Sequence, residues 1–216
     1  MRTGLHVKYG PVAHRTQQQR RERTRELLLD ATVSCLVELG YSGTTVHEIC
    51  RRAGLSRGAQ QHHFTTKAEL MAAAVEHLAQ RLRVEVTATL VLPPGPERVA
   101  EAIDVLWRGF SGELSTAALE LWVAARTDEE LRRSMLPVDR ALARSTLDIY
   151  RAAAGDDLPL ERLETIFWLT LNVTRGLALD AMIGGDPHRR AHLLDEWKVM
   201  ATAMLTGPAL ARASQQ

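Results

Sequence analysis

Between Gln17 and Leu39 the apolar residues Leu28, Ala31, Cys35, Leu36 and Leu39 recur at the three- and four-residue spacing of one helix face, and Gly40 supplies a stop. The pattern predicts a first helix there. Thr44 or Thr45 then caps a second helix from Val46 to Ala53, with Glu48 in the capping-box position three residues after Thr45. Gly54-Leu55-Ser56 is a turn in which Gly54 closes one helix and Ser56 caps the next. A short third helix is expected from Arg57 to Phe64. Thr66 caps a long fourth one that carries Leu70, Ala73, Ala74, Leu78 and Leu82 down one side.

Pro93-Pro94-Gly95-Pro96 is the strongest punctuation in the chain, because no helix runs through it. Beyond it the pattern predicts helices at about 97–110, 113–126, 128–154 with a kink at Pro137, 160–183 and 188–205. Gly155-Asp156-Asp157 and Gly184-Gly185-Asp186-Pro187 separate the last three. The expected fold is all-α with about nine helices. An arm (1–15) precedes a three-helix helix-turn-helix domain (16–83), which a long fourth helix joins to a helical domain (84–216). No solenoid period or low-complexity tract appears.

Composition places limits on this picture. A chain of 216 residues, 45% hydrophobic and 25% charged, has an ordinary soluble composition and can bury a real core. It has no apolar run near the roughly 18 to 20 residues of a membrane span, and its N-terminal stretch lacks an apolar signal region, so a cytoplasmic protein is expected. Cys35 and Cys50 fall within apolar helical patterns, where a thiol acts as a small hydrophobe; neither a disulfide nor a cofactor is expected.

Charge adds an asymmetry that the net value of +1 conceals. Residues 1–83 carry 13 Lys and Arg against 7 Asp and Glu, whereas the remainder carries 14 against 19. Arg15, Arg20, Arg21, Arg23 and Arg25 crowd the start of the first helix. Such a segment beside a polar helix is the electrostatic footprint of nucleic-acid binding, although a charge run also suits a solvated face.

The polar helix is "RGAQQHHF". On helical spacing Arg57, Gly58, Gln61 and His62 share one face, while Gln60 and Phe64 lie on another. Phe64 with Leu55 faces the core, and Arg57, Gln61 and His62 project outward. An arginine fork suits guanine, a glutamine suits the adenine edge, and Gly58 with Ala59 permits close backbone approach, which is the chemistry of major-groove reading. Lys67 and the Thr44/Thr45 pair sit at helix starts, where phosphate oxygens are favoured. Gln60 is either a half-buried amide or a base contact. His62 and His63 diverge by about 100° on a helix and find no third ligand, so structural or phosphate-contacting roles suit them better than a metal. His47 and Cys50, three apart, offer another metal pair, although Cys50 fits the core.

The order of these elements is a helix-turn-helix, and residues 28–75 resemble the DNA-binding domain of the TetR family of bacterial transcriptional regulators. The resemblance rests on Leu28-Leu29-Asp30-Ala31, Gly40-Tyr41, Thr44-Thr45-Val46, Ile49, Ala53-Gly54-Leu55-Ser56, Gly58, His63-Phe64 and Lys67. It covers roughly the first 85 residues. Two positions depart from the family pattern: Gln60 replaces a leucine beneath the recognition helix, and Gln61 replaces a DNA-contacting tyrosine. The resemblance implies a homodimeric, ligand-responsive repressor on a palindromic duplex DNA operator. It also implies a small-molecule effector held by the fifth, sixth and eighth helices.

Candidate pocket residues are Trp107, Phe110, Trp122 and Phe167, which also suit a plain core, and the polar Arg126, Asn172 and Arg175. An arginine there recognises an anionic or carbonyl-bearing effector, or else pairs with Asp180 or Glu120. The last two helices are apolar on more than one side, so pairing with a second copy in a four-helix bundle is expected. Two other classes suit an all-helical chain. A helical adaptor would use the basic half on acidic proteins. An all-helical hydrolase would need a G-x-S-x-G, P-loop, H-E-x-x-H or Ser/His/Asp set, none of which appears.

Overall fold

In the computed structural model, residues 16–89, 95, 97–154 and 160–206 are described. The expected arm at 1–15, most of the Pro93–Pro96 punctuation and the Gly155–Asp157 break lie outside them. The described residues form nine helices and no strand. They are α1 (Gln17–Gly43), α2 (Val46–Ala53), α3 (Arg57–His63), α4 (Lys67–Thr89), α5 (Glu97–Phe110), α6 (Glu113–Ala125), α7 (Glu129–Ala154), α8 (Leu160–Met182) and α9 (Pro187–Thr206).

Local chemistry sets the ends of the first four. Thr16 and Gln19 form a reciprocal capping box at the start of α1. Helical geometry breaks at Gly40, whose φ of 65° lies in the left-handed region that favours glycine. Glycine is needed there for a second reason, since a Cβ would lie 3.0 Å from the Glu120 carboxylate. Thr45 is the residue that caps α2, accepting from the Glu48 N–H at 3.2 Å. Glu48 does not return the bond as a capping box would. Arg51 and Arg52 hold its carboxylate instead, and their hydrogen bonds bring its pKa down to about 2. Gly54 closes α2 in the left-handed conformation, Ser56 caps α3, and Phe64 ends α3 one residue before the predicted boundary. Thr66 caps α4 through the Glu69 N–H.

Packing divides into three cores. Leu28, Leu29, Cys35, Ile49, Phe64, Leu70 and Ala74 close α1–α3 onto the first half of α4. Leu39, expected on the buried side, is exposed because it falls beside the Gly40 break. A second cluster joins Leu36 of α1 and Met71 and Val75 of α4 to Leu121 of α6 and Leu131 and Met135 of α7. A third packs α5, α7, α8 and α9 around Ile103, Phe167 and Leu171. α7 continues unbroken through Pro137, whose missing N–H deprives the Arg133 carbonyl of its helical donor. No helix among the described residues is long and apolar enough to cross a membrane.

Candidate functional site

Arg57, Gly58, Gln61 and His62 are all exposed on α3, as the helical spacing predicted. Ala59 and His63 are half-buried beside them. What roots the helix is Gln60, only 3% exposed, whose amide donates to the Phe64 carbonyl at 3.0 Å. The amide caps the end of its own helix from below, so it takes the place of an apolar anchor while its nitrogen keeps a hydrogen-bond partner. It is a buried amide, not a base reader. Arg25 of α1 lies over the Phe64 ring, and the His63 pKa is lowered by burial and then by the nearby charges of Arg21, His62 and Arg25. The basic turns of α1 thus flank the end of α3. His62 and His63 meet edge to face, and no metal-sized group of His, Cys, Asp or Glu forms among the described residues.

Two of the residues predicted at phosphates are engaged within the protein. Thr44 is fully buried and its hydroxyl donates to the Gly40 carbonyl at 2.7 Å, so only exposed Thr45 keeps a side chain available at that helix start. Lys67 is half-buried: its ammonium donates to the Tyr41 carbonyl at 3.3 Å and lies 4.4 Å from the centre of the Tyr41 ring. Burial lowers its pKa against the raising effect of Asp128. The position immediately after Gly40 explains both. Tyr41 donates its backbone N–H to Glu120 of α6 at 3.0 Å and its hydroxyl to Asp128, which caps α7 through the Leu131 N–H. Tyr41 is therefore the polar joint between α1, α4, α6 and α7. Only its place after Gly40 marked it in the sequence.

A cavity opens among α4, α5, α6, α7 and α8. The space open to the centre of a water molecule is ≈ 120 Å³. Of the predicted pocket residues, the structure brings Phe110, Trp122 and Arg175 to its wall. Trp107 packs on the third core, and Phe167 is fully buried within it. Arg126 lies on an adjoining surface groove with Arg132, Leu136 and Asp139. Asn172 is exposed on the far side of α8 and bonds to the Trp168 carbonyl one turn back. These four residues stand off the cavity wall, because interruption of an apolar run does not say which way a helix is turned.

Arg175 pairs with neither Asp180 nor Glu120. Its Nη2 donates to Asp139 of α7 at 3.3 Å, and its guanidinium sits 4.2 Å from the centre of the Trp122 ring. Burial pushes its pKa down, opposed by Asp139. Asp180 instead binds Arg189 and Arg190 across the α8–α9 turn. The missed wall comes from α7, where Asp139, Leu142, Thr146 and Ile149 follow one another at helical spacing. A lone acid on that stripe was a readable signal. Ser115, at the start of α6, adds a buried hydroxyl to the wall.

The outer faces of α8 and α9 carry Trp168, Leu169, Leu179, Leu193 and Met200, each 42–50% exposed, and Ile183 in the turn after α8 is 78% exposed. Trp168, Asn172, Gly176 and Leu179 form one stripe of α8, and Gly176 keeps its surface flat.

An exposed short helix after a capped turn, backed by a helical body with a cavity, defines a helix-turn-helix regulator. Residues 28–74 match the family model described as bacterial regulatory proteins, tetR family. The chain is 34% identical over 195 residues to an uncharacterised HTH-type transcriptional regulator of Mycobacterium tuberculosis, spanning 89% of this chain and 97% of that one. It is 32% identical over 180 residues to the HTH-type transcriptional regulator CymR of Pseudomonas putida, spanning 81% and 87%. The protein belongs to the TetR family and is a DNA-binding transcriptional regulator. Among solved structures, a transcriptional regulator from Rhodococcus sp. Rha1 superposes with a TM-score of 0.63 at 27% identity, covering 84% of this chain and 95% of the other. The multidrug binding protein EbrR shares the fold at a TM-score of 0.64 and 19% identity, over 84% and 98% of the two chains.

Proposed function

We propose that the protein is a ligand-responsive repressor that binds a palindromic operator as a homodimer. The observation that carries this reading is α3 itself: Arg57, Gly58, Gln61 and His62 stand exposed while Gln60 and Phe64 anchor the helix from beneath. Arg57 and Gln61 read base edges, and Gly58 and Ala59 allow the backbone to approach. Thr45, His62 and His63, with the α1 arginines, position the module on phosphates. Residues 16–83 are the DNA-binding unit, and 84–216 are the sensing and dimerising unit. The exposed apolar stripes of α8 and α9 meet those of a second copy, an arrangement that supplies two recognition helices and a dyad.

The cavity holds the effector, a mostly apolar compound with one polar or acidic group. Two helices connect it to the DNA-reading unit. α4 presents Ala79 and Leu82 to the cavity and Met71 and Val75 to the junction core; α6 presents Trp122 to the cavity while Glu120 holds Tyr41. A ligand that prefers one arrangement of these helices changes the separation of the two recognition helices, which a rigid operator does not follow.

The test is selection from random duplex DNA with purified protein, followed by footprinting. Selected sites should show dyad symmetry with half-sites about one turn apart, roughly 34–36 Å. Binding by a monomer, or sites without a dyad, would refute the reading.

A further inference from the structure

Two polar atoms in the cavity wall are buried without a hydrogen-bond partner among the described residues, the Arg175 Nε and the Ser115 Oγ. The other polar groups of the wall are engaged. Ser145 and Thr146 donate their hydroxyl protons to the Leu142 carbonyl, and Arg83 at the rim binds Gln80. The rest of the surface is apolar, formed by residues such as Leu106, Phe110, Ala118 and Ile149.

Arg175 makes one hydrogen bond among the described residues, of 3.3 Å from Nη2 to Asp139. A guanidinium binds a carboxylate best through two parallel N–H bonds, and its Nε–H and Nη2–H point the same way to form one such fork. Half of that fork is empty and the other half carries a long bond. The Trp122 ring at 4.2 Å fixes the guanidinium plane. Asp139, for its part, has somewhere to go. Its side chain is 34% exposed and also lines the surface groove that contains Arg126 and Arg132.

We infer that the effector is an apolar carboxylate whose acid group takes the Nε–Nη2 edge of Arg175 and displaces Asp139 toward that groove. This rests on the cavity being the effector site. The ligand fills the orphan Nε–H, its apolar body lies along the α5–α7 wall, and Ser115 takes a second hydrogen-bonding group where one is present. Asp139 is then the internal competitor that sets the threshold concentration. A cationic ligand would find the same acid already paired and two arginines, Arg83 and Arg175, in the wall. A neutral carbonyl would answer one N–H of the fork without balancing the guanidinium charge, and a ligand with no acceptor would answer neither.

The experiment uses the full chain and a panel of ring and chain monocarboxylates of naphthoate or decanoate size, each with its amide and its primary amine. Binding is read by titration calorimetry and by the tryptophan fluorescence change that Trp122→Phe removes. Carboxylates should bind more tightly than their amides and amines. Asp139→Asn should tighten carboxylates about tenfold and leave amides unmoved, the signature of a removed competitor. Arg175→Gln should abolish the carboxylate preference, and Arg175→Lys, which keeps the charge without the fork, should lose most of it while thermal unfolding confirms a folded chain. If amides or amines bind through Trp122 as well as carboxylates do, or if Asp139→Asn weakens carboxylates, the charge assignment is overturned while the cavity stands as the ligand site. If no member of any charge class perturbs Trp122, both the inference and the effector-site reading fall.

Discussion

The core under α3 and the core around the cavity are built in opposite ways. Leu28, Leu29, Ile49, Leu70 and Phe64, each at most 3% exposed, close around the turn and hold α3 in one pose. Between α4 and α8 the walls stay apart, and a half-buried arginine, acid and tryptophan (Arg175, Asp139 and Trp122) face the space between them. The first region needs rigidity, because side chains that read bases must be placed to within hydrogen-bond tolerance. On the function proposed above the second needs alternatives, because a site that signals must have two arrangements of similar free energy. Tyr41 lies between them, with its hydroxyl on the sensing half and its carbonyl on Lys67.

The largest effect separating the two regions should come from Ile49→Ala. Removing a fully buried side chain from the recognition core should cost about 2–5 kcal/mol in denaturant unfolding and abolish operator binding. Trp122→Ala, in the cavity wall, should spare operator binding and lose the response to ligand. Equal loss of operator binding in both variants would erase the distinction.

A smaller effect, about 1–3 kcal/mol at one base position of each half-site, is expected for Arg57→Ala and for Gln61→Ala in sequence selection. Gln60→Ala should behave differently. It should lower stability without changing the selected bases, because its amide serves the Phe64 carbonyl.

Next comes the joint. Tyr41→Phe removes the hydroxyl from Asp128 and should cost about 0.5–1.5 kcal/mol. Burial, then the hydrogen bond and charge of Asp128, push the Tyr41 pKa up from 10 to about 12. Because the folded value is the higher one, this contribution is fully present below pH 10 and is lost as pH rises toward about 12. Asp128 has the opposite sense: the Leu131 N–H and then the Tyr41 hydroxyl hold its pKa below the ordinary value of 3.8, so its contribution disappears as the solution is acidified below that value. Stability curves of wild type and Tyr41→Phe should therefore converge above pH 10. Parallel curves would mean that the hydroxyl is not part of the joint.

The smallest effect should be Arg81→Ala, which breaks an exposed pair with Asp30 across α1 and α4. About 0.2–1 kcal/mol is expected at low salt, and less as salt is raised. A larger loss would show that surface charge, not the Ile49 core, holds α4 to α1.

How much was legible follows the same division. Gly40, Thr45, Gly54, Ser56 and Thr66 each act on residues within one turn of themselves, so sequence spacing was enough to place α1–α4 and to turn Arg57, Gln61 and His62 outward. Local pattern did not show that Thr44 is buried and Lys67 half-buried, because a helix start looks the same whether its side chains meet solvent or the neighbouring helix. For the same reason local pattern does not distinguish a buried from a base-reading Gln60. In the sensing half the helix boundaries were close to those observed, but the wall was not. Trp107, Phe167 and Asn172 are as apolar, or as conspicuous in their runs, as Phe110, Trp122 and Arg175, and only the rotation of α5 and α8 against their neighbours separates the two sets. By itself, then, the sequence determined the elements, the recognition turn and the family, since caps, breaks and periodicity act over a few residues. Tertiary structure alone decided that Asp139 answers Arg175, 36 residues apart, and that Tyr41 meets Asp128, 87 residues away. Such contacts depend on how whole helices stack, and no local free-energy preference encodes the partner across the gap.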